Sequence, residues 1–452
     1  MDGLLKRLYE PSTIAVVGPS PNSDNLATVI LNNLITAVRD GRLKADIYAV
    51  NPIYEECLGL KCKKELEEGT DLAIIAVPSQ IVPEVLKDCG EKKVKGAVII
   101  SSGFSEIGEV HLEREIKRIA KSYGIRIIGP NCLGILDLYS GVDCIFLPFE
   151  KLKRPQKGKI SFISQSGAVG STVLDFFGVK NIGFSKFISY GNAVDLNECD
   201  FLEYLLEDKR TSAICLYIEG VRDGKRFLEI CKRAKKPIIV VKAGRTSIGT
   251  EAVKSHTGSM AGDDRVYDAV FNQAKVLRAK NLQELLDYLK VISFFNPPVG
   301  KRVLVITNGG GFGVLTADEL VQKGLEIAKL SEKSIEKLKS FLPKYSSISN
   351  PLDLAGDATA KRYIDAISVG LDDENIDFLI CILLFQTVSL GLEILEFLKK
   401  TKFKKPILVC TLGGKFIEKI ALEIEKFGIP VFETPEKVAN AAFAISYNFK
   451  KL

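Results

Sequence analysis

The sequence predicts a parallel α/β protein built in three parts, and three observations carry that expectation. The first is a repeated local pattern, in which an apolar, β-branched run ends in a small Gly- or Ser-rich turn and an amphipathic segment follows. Ile14–Gly18, Ala97–Gly103, Ile160–Gly167, Ile238–Gly244 and Val303–Gly311 all have this form. Continuous Ile/Val runs mark strands buried on both faces, and their alternation with helical patterns marks parallel sheets. The second observation is a pair of linkers. Leu147–Lys159 is basic and broken by Pro148, Pro155 and Gly158, and Asn296–Gly300 (NPPVG) stops a helix. They divide the 452 residues into 1–146, 158–293 and 300–452, close to the ~150 residues of an ordinary domain. The third is an internal repeat. Phe162–Gly170 parallels Val305–Gly313, Gly191–Leu196 parallels Ser349–Leu354, and Lys235–Val241 parallels Lys404–Cys410. Order and approximate spacing are kept, as a duplicated α/β unit requires.

In the first part, Ile14–Val17 runs into the turn Gly18-Pro19-Ser20, Asn22–Asn25 is turn-like, and a helix pattern begins near Leu26. Backbone N–H groups at such a helix start favour a phosphate. A second strand, Asp46–Val50, ends at Asn51-Pro52, a third, Leu72–Val77, ends at Pro78, and the run from Ala97 ends at Ser102-Gly103. This is a Rossmann-like arrangement, with strand ends facing one crevice at the carboxyl edge. GxGxxG is absent and no acidic residue follows the second strand, which argues against NAD. Gly129–Gly134 (GPNCLG) is a further unusual turn.

The second part holds the reactive chemistry. His256 is one of only two histidines, in Ser255–Gly262 (SHTGSMAG). Gly, Ser and Thr flank it, so the segment reads as a loop able to wrap a tetrahedral anion with N–H and hydroxyl donors. A neutral imidazole is a competent nucleophile when a carboxylate holds its other nitrogen. Glu219, after the strand Ala213–Ile218, is the candidate for that carboxylate. Ser164-Gln165-Ser166-Gly167 ends a strand and opens a helix from Ala168, a natural anion site aimed at the same crevice. The sister copy lacks the histidine and has Phe385-Gln386 near the place of Glu219. His111 lies in a charged helical pattern and reads as a solvated helix residue.

Bulk properties exclude other classes. A net charge of +6, from 62 basic and 56 acidic residues, is too mild and too mixed to argue for nucleic acid. Met1–Pro11 has no apolar core of a signal peptide. The apolar run Phe378–Phe385 is far short of the ~20 residues of a membrane helix. Ten scattered cysteines without a CxxC pair, and two histidines, make a metal site unexpected. Cys215, Cys381 and Cys410 sit in apolar runs as buried thiols, which suits a reducing cytoplasm. Walker A and GxSxG motifs are missing.

These motifs together resemble a known family. Gly129–Gly134, Ser164–Gly167, Gly191-Asn192 with Asp195, Ser255–Gly258 (SHTG) and Asn350–Asp353 (NPLD) are similar to those of the α subunits of ADP-forming acetyl-CoA (acyl-CoA) synthetases, relatives of succinyl-CoA synthetase. The resemblance spans essentially the whole chain. It implies a Rossmann-like CoA-binding domain followed by two flavodoxin-like parallel α/β domains. It implies CoA held by Gly18, Ser20, Asn51, Pro52, Val77, Pro78, Ser102 and Gly103. Phosphate and acyl groups would lie among Asn131, Ser164, Gln165, Ser166, Gly167, Gly191, Asn192 and Gly258. His256 is implied as the phosphocarrier, steadied by Glu219. The implied reaction converts acyl-CoA, ADP and phosphate to free acid, ATP and CoA through an acyl phosphate and a phosphohistidine. No segment before Leu452 is left to build an ATP-grasp module. A separate ATP-grasp β subunit is therefore implied, carrying ADP/ATP and Mg2+, in an α2β2 assembly. The first turn departs from the family: Gly18-Pro19-Ser20 and Asn22–Asn25 stand where a Gly-Lys-rich loop is usual. That departure motivates a rival reading, a CoA-binding or sensing protein that kept the fold without the chemistry. A CoA-transferase using a glutamate nucleophile is a third.

Overall fold

The computed structural model describes residues 2–180, 182–257 and 263–449, and leaves the side chains of 2–4 and 254–257 undescribed. Among the described residues three sheets form. The first has seven strands, and its six parallel ones follow the order 3-2-1-4-5-6 in chain sequence, the Rossmann arrangement. Thr13–Val17 lies at the centre, between Asp46–Val50 and Leu72–Ile75. The short hairpin Glu56–Cys57 and Leu60–Lys63 finishes one edge. Alternate residues of the central strand face different cores: Ile14 and Val16 enter one, Ala15 and Val17 the other. This is why Ile14–Val17 carries no polar residue.

The second sheet is built from Lys157–Ser164, Phe184–Ser189, Ala213–Ile218, Ile238–Lys242 and Leu277–Ala279. Their order is 2-1-3-4-5, all parallel, which is the flavodoxin-like order. Ile135–Asp137, from the first part of the sequence, adds an antiparallel edge strand to this sheet. Lys157–Lys159, expected in a linker, opens the first strand instead. Tyr190, Leu196 and Phe201 share one continuous core with Ile14 and Leu31, so the first two sheets pack together.

The third sheet repeats the 2-1-3-4-5 order with Arg302–Thr307, Glu326–Ile327, Phe378–Ile382, Ile407–Cys410 and Val431–Phe432. Leu352–Asp353 also pairs with Arg302–Thr307. The expected duplication is thus present in topology. The compact units divide differently from the three sequence parts. One runs to Lys280 and holds both of the first two sheets, and the other is Asn281–Phe449. Helix Leu282–Phe294 belongs to the latter, where Asn440 of helix Pro435–Ser446 donates to Asp287 at 2.8 Å. All ten cysteines are buried thiols. No described helix is long and apolar enough to cross a membrane.

Candidate functional site

The candidate site lies at the carboxyl end of the first two sheets. Thr13–Val17 ends at Gly18, whose φ is +101°. A Cβ there would lie 2.7 Å from the carbonyl oxygen of Ala76, so only glycine lets the neighbouring strand ends come this close. Asn51 spans the next gap. Its amide donates to the Pro19 carbonyl at 2.7 Å and its Oδ1 accepts from Ile53 N–H at 2.8 Å. Asn25 caps helix Leu26–Arg39 by accepting from Thr28 N–H. Together these walls form a groove of about 880 Å3 lined by Gly18, Asn51, Pro52, Val77 and Pro78, with Lys64, Lys87 and Lys92 interleaved with Glu65, Glu84, Asp88 and Glu91.

The groove shares Asn25, Ala76, Val77 and Pro78 with a second cavity of about 530 Å3. That cavity is lined by Ser102, Asn131, Gln165, Ser166, Gly167, Gly191, Asn192 and Glu219. Helix Gly167–Val179 points its N-terminus into it. Ser166 caps the helix by accepting from Val169 N–H at 3.3 Å. The N–H groups of the first turn, together with the helix dipole, make this end attractive to an anion.

Two turns meet on the opposite wall. Gly191 approaches the Gly129–Gly134 turn so closely that a Cβ would be 2.2 Å from the carbonyl oxygens of Pro130 and Asn131. Asn192 N–H donates to Pro130 O at 3.0 Å, and Asn131 Nδ2 to Asn192 Oδ1 at 3.2 Å. The Asn192 amide also donates to Glu106 at 2.6 Å. Burial opposes the charge of Glu106. The Asn192 amide and the N–H groups of Gly103 and Phe104 outweigh it and hold the carboxyl below its ordinary value. These bonds orient the two asparagines that face the cavity.

Glu219 is 7% exposed at the end of Ala213–Ile218. Its N–H donates to Gln165 Oε1 at 2.8 Å, so the backbone is fixed independently of the carboxylate. The Tyr217 hydroxyl bonds to that carboxylate and is pushed up to about 12, first by burial and then by the charge of Glu219. The sister unit repeats the backbone device. There Asn308 Oδ1 accepts from Leu384 N–H at 3.0 Å, and Ile382 pairs with Thr307 as Tyr217 pairs with Ser164. The residue matching Glu219 is therefore Leu384, not Phe385-Gln386, because strand register fixes what sequence spacing could place only approximately.

The cavities thus gather most of the expected residues, and a few stand apart. Ser164 is fully buried beneath the site, its hydroxyl given to Ser166 O at 2.6 Å. Ser20 does not line either cavity. Its N–H and carbonyl are both taken by the Thr28 hydroxyl. Gly103 is also outside the linings, and its N–H serves Glu106 at 2.6 Å. Gly258 lies outside the described residues, as does the side chain of His256. The backbone of Ser255–Thr257 closes helix Ser247–Thr257, where the sequence suggested a loop. His111 is a solvated helix residue, 3.1 Å from Glu109. Tyr217, Phe146 in the cavity wall and the groove lysines carry no signal in the sequence, since isolated aromatic and basic residues form no motif.

Comparison with known proteins agrees with this geometry. Residues 12–137 match the family model described as CoA binding domain. Residues 157–292 match the succinyl-CoA ligase like flavodoxin domain, and 303–451 the ligase-CoA domain. The chain is 41% identical to the acetate–CoA ligase [ADP-forming] II subunit alpha of Pyrococcus furiosus, over 99% of both chains. It is 43% identical to the acetate–CoA ligase [ADP-forming] of Methanocaldococcus jannaschii, of which it spans 63%. A solved structure of the Ca. Korarchaeum cryptofilum dinucleotide forming acetyl-coenzyme A synthetase 1, in complex with phosphate and ADP, superposes with a TM-score of 0.90 at 36% identity. That match covers 98% of this chain and 96% of that one. The chain belongs to the family of ADP-forming acetate–CoA ligases, among their α subunits.

Proposed function

We propose that this chain is the catalytic α subunit of an ADP-forming acyl-CoA ligase that turns a small acyl-CoA, ADP and phosphate into free acid, ATP and CoA. The observation that carries the reading is one cavity in which a CoA-sized groove, a helix N-terminus and the Glu219 carboxylate converge. CoA would lie with its nucleotide by Gly18, Asn51, Pro52 and the groove lysines, and its thiol arm passing Val77 and Pro78. Lys64 and Lys87 are the lysines nearest to hand for its phosphates, since Lys92 is paired with Glu65 at 3.1 Å. Ser102, Asn131, Gln165–Gly167, Gly191 and Asn192 would surround the reacting groups.

A phosphate oxygen attacks the thioester carbonyl, the C–S bond breaks, and CoA leaves as the thiol with an acyl phosphate formed. N–H groups at the start of helix Gly167–Val179 stabilise the anionic charge. A ring nitrogen of His256 then attacks phosphorus and the acid leaves as its carboxylate. Glu219 holds the second ring nitrogen and favours the imidazolium that forms. The phosphohistidine retains the transfer potential of the thioester and passes its phosphoryl group to ADP. The ADP and Mg2+ sit on a separate ATP-grasp β subunit, in an α2β2 assembly, and the histidine segment travels between the sites. Ten buried thiols suit the reducing cytoplasm.

The test is to incubate the chain with acetyl-CoA and 32P-phosphate, with and without an ATP-grasp partner. An acid-labile label on His256 is expected, lost in His256→Asn. CoA binding without label, in the presence of the partner, would establish the non-catalytic reading instead.

A further inference from the structure

We propose that Phe146 is the specificity-determining wall that limits the size of the acyl group this site accepts. The inference rests on the proposed function and concerns the cavity where the thiol arm ends. Val77 and Pro78 belong to the mouth that the cavity shares with the groove. Ile100, Cys132 and Leu133 are almost wholly buried and form its floor. Phe146 is the largest apolar side chain of the lining and is only partly buried. Leu26 is the other open apolar residue of the lining, 44% exposed, and the bulkier Phe146 is the one we assign to meet an extended acyl chain.

The backbone around Phe146 is fixed from three directions. Asn33, fully buried in helix Leu26–Arg39, donates one amide to carbonyls on both sides of it: Ile145 O at 2.8 Å and Leu147 O at 3.4 Å. Arg154 binds the buried Asp143 carboxylate through two nitrogens at 2.8 and 3.2 Å, and gives a further hydrogen bond to Leu147 O at 2.8 Å. Cys144 N–H donates to Ile135 O at 2.9 Å. On that side the strap lies so close to Gly134 that a Cβ there would be 2.3 Å from Cys144 O. Moving the strap would leave a buried amide and a buried ion pair unsatisfied, which is costly. The backbone that carries Phe146 is thus held in place, and an apolar wall discriminates by about 10–200-fold per methylene.

The experiment measures kcat/KM for acetate, butyrate, hexanoate and phenylacetate with the full chain and its ATP-grasp partner. Phe146→Ala is expected to raise the hexanoate-to-acetate ratio at least tenfold. Phe146→Leu keeps an apolar side chain in place, and so reports even where the alanine variant does not fold; its ratio should move at least threefold in the same direction. Ratios within twofold of the parent in the folded variants, with acetate turnover intact, would overturn the role of Phe146. A parent enzyme that forms no acyl-CoA from any of the acids would instead defeat the proposed function.

Discussion

Glu219 and Leu384 occupy matching places in two copies of one unit, held by the same main-chain hydrogen bond to a Gln165 or Asn308 side chain. The carboxylate is therefore not needed to build the turn, since leucine builds it equally well. This separates chemistry from architecture at a single atom group. Glu219→Gln should leave CoA affinity unchanged and the fold intact, because the Gln165 contact uses only the backbone N–H and the amide oxygen can still accept from the Tyr217 hydroxyl. The rate of phosphohistidine formation should fall by ~10²–10⁴-fold, the usual contribution of a positioned acid–base group. Rapid-quench labelling measures it, and a loss below tenfold would remove Glu219 from the reaction. The residue was legible in the sequence as a lone carboxylate ending an apolar strand. Tyr217 and Phe146 were not, because their roles depend on which neighbour faces them. Ser20 and Gly103 stand in strand-end turns, which is what marks them in the sequence, but the Ser20 main chain is bonded to the Thr28 hydroxyl and the Gly103 N–H to Glu106.

Strands announced themselves as elements because burial on both faces leaves an unbroken Ile/Val run. The allegiance of shorter pieces did not. Ile135–Asp137 reads as part of the first domain, yet its partner is Phe184–Ser189, a pairing that local pattern cannot specify. Helix Leu282–Phe294 follows the second sheet in sequence but packs its Asp287 against helix Pro435–Ser446. Two expectations follow at this scale. Gly191 has φ +50° and no room for a Cβ against two carbonyl oxygens. Gly191→Ala should cost about 1–3 kcal/mol and weaken turnover through the displaced Asn192, as read by denaturant melts and kcat/KM; a neutral substitution would contradict the close approach. The second concerns Asp287. Burial raises its carboxyl to about 6, against the hydrogen bonds from Asn440 and Gln283. A carboxyl raised in the folded state binds more protons there than in the unfolded chain. The Asn281–Phe449 unit should therefore lose stability as pH rises from about 4 to 6, opposite to the effect of the depressed Asp377 and Asp373. Asp287→Asn should flatten that slope in melts taken across the window, and an unchanged slope would place the titration elsewhere.

At the scale of the whole molecule, every described residue of the groove and cavity lies before Lys280, in one compact unit. The cores keep the same division. Among the described clusters, those of the first two sheets run from Leu5 to Val276, and one on a face of the third sheet runs from Leu304 to Val431. Units with separate cores unfold as separate cooperative steps. Calorimetry of the intact chain should therefore show two transitions. A ligand stabilises only the state that binds it, by about 2.7 kcal/mol at one hundred times its Kd. CoA at that excess should raise the transition of the first unit and leave the second where it was. Asp287→Asn, changing the second unit alone, supplies the assignment by moving the other transition. If CoA shifts both transitions together, the units do not unfold as separate steps. If it shifts neither, the groove beside Gly18 is not where CoA binds.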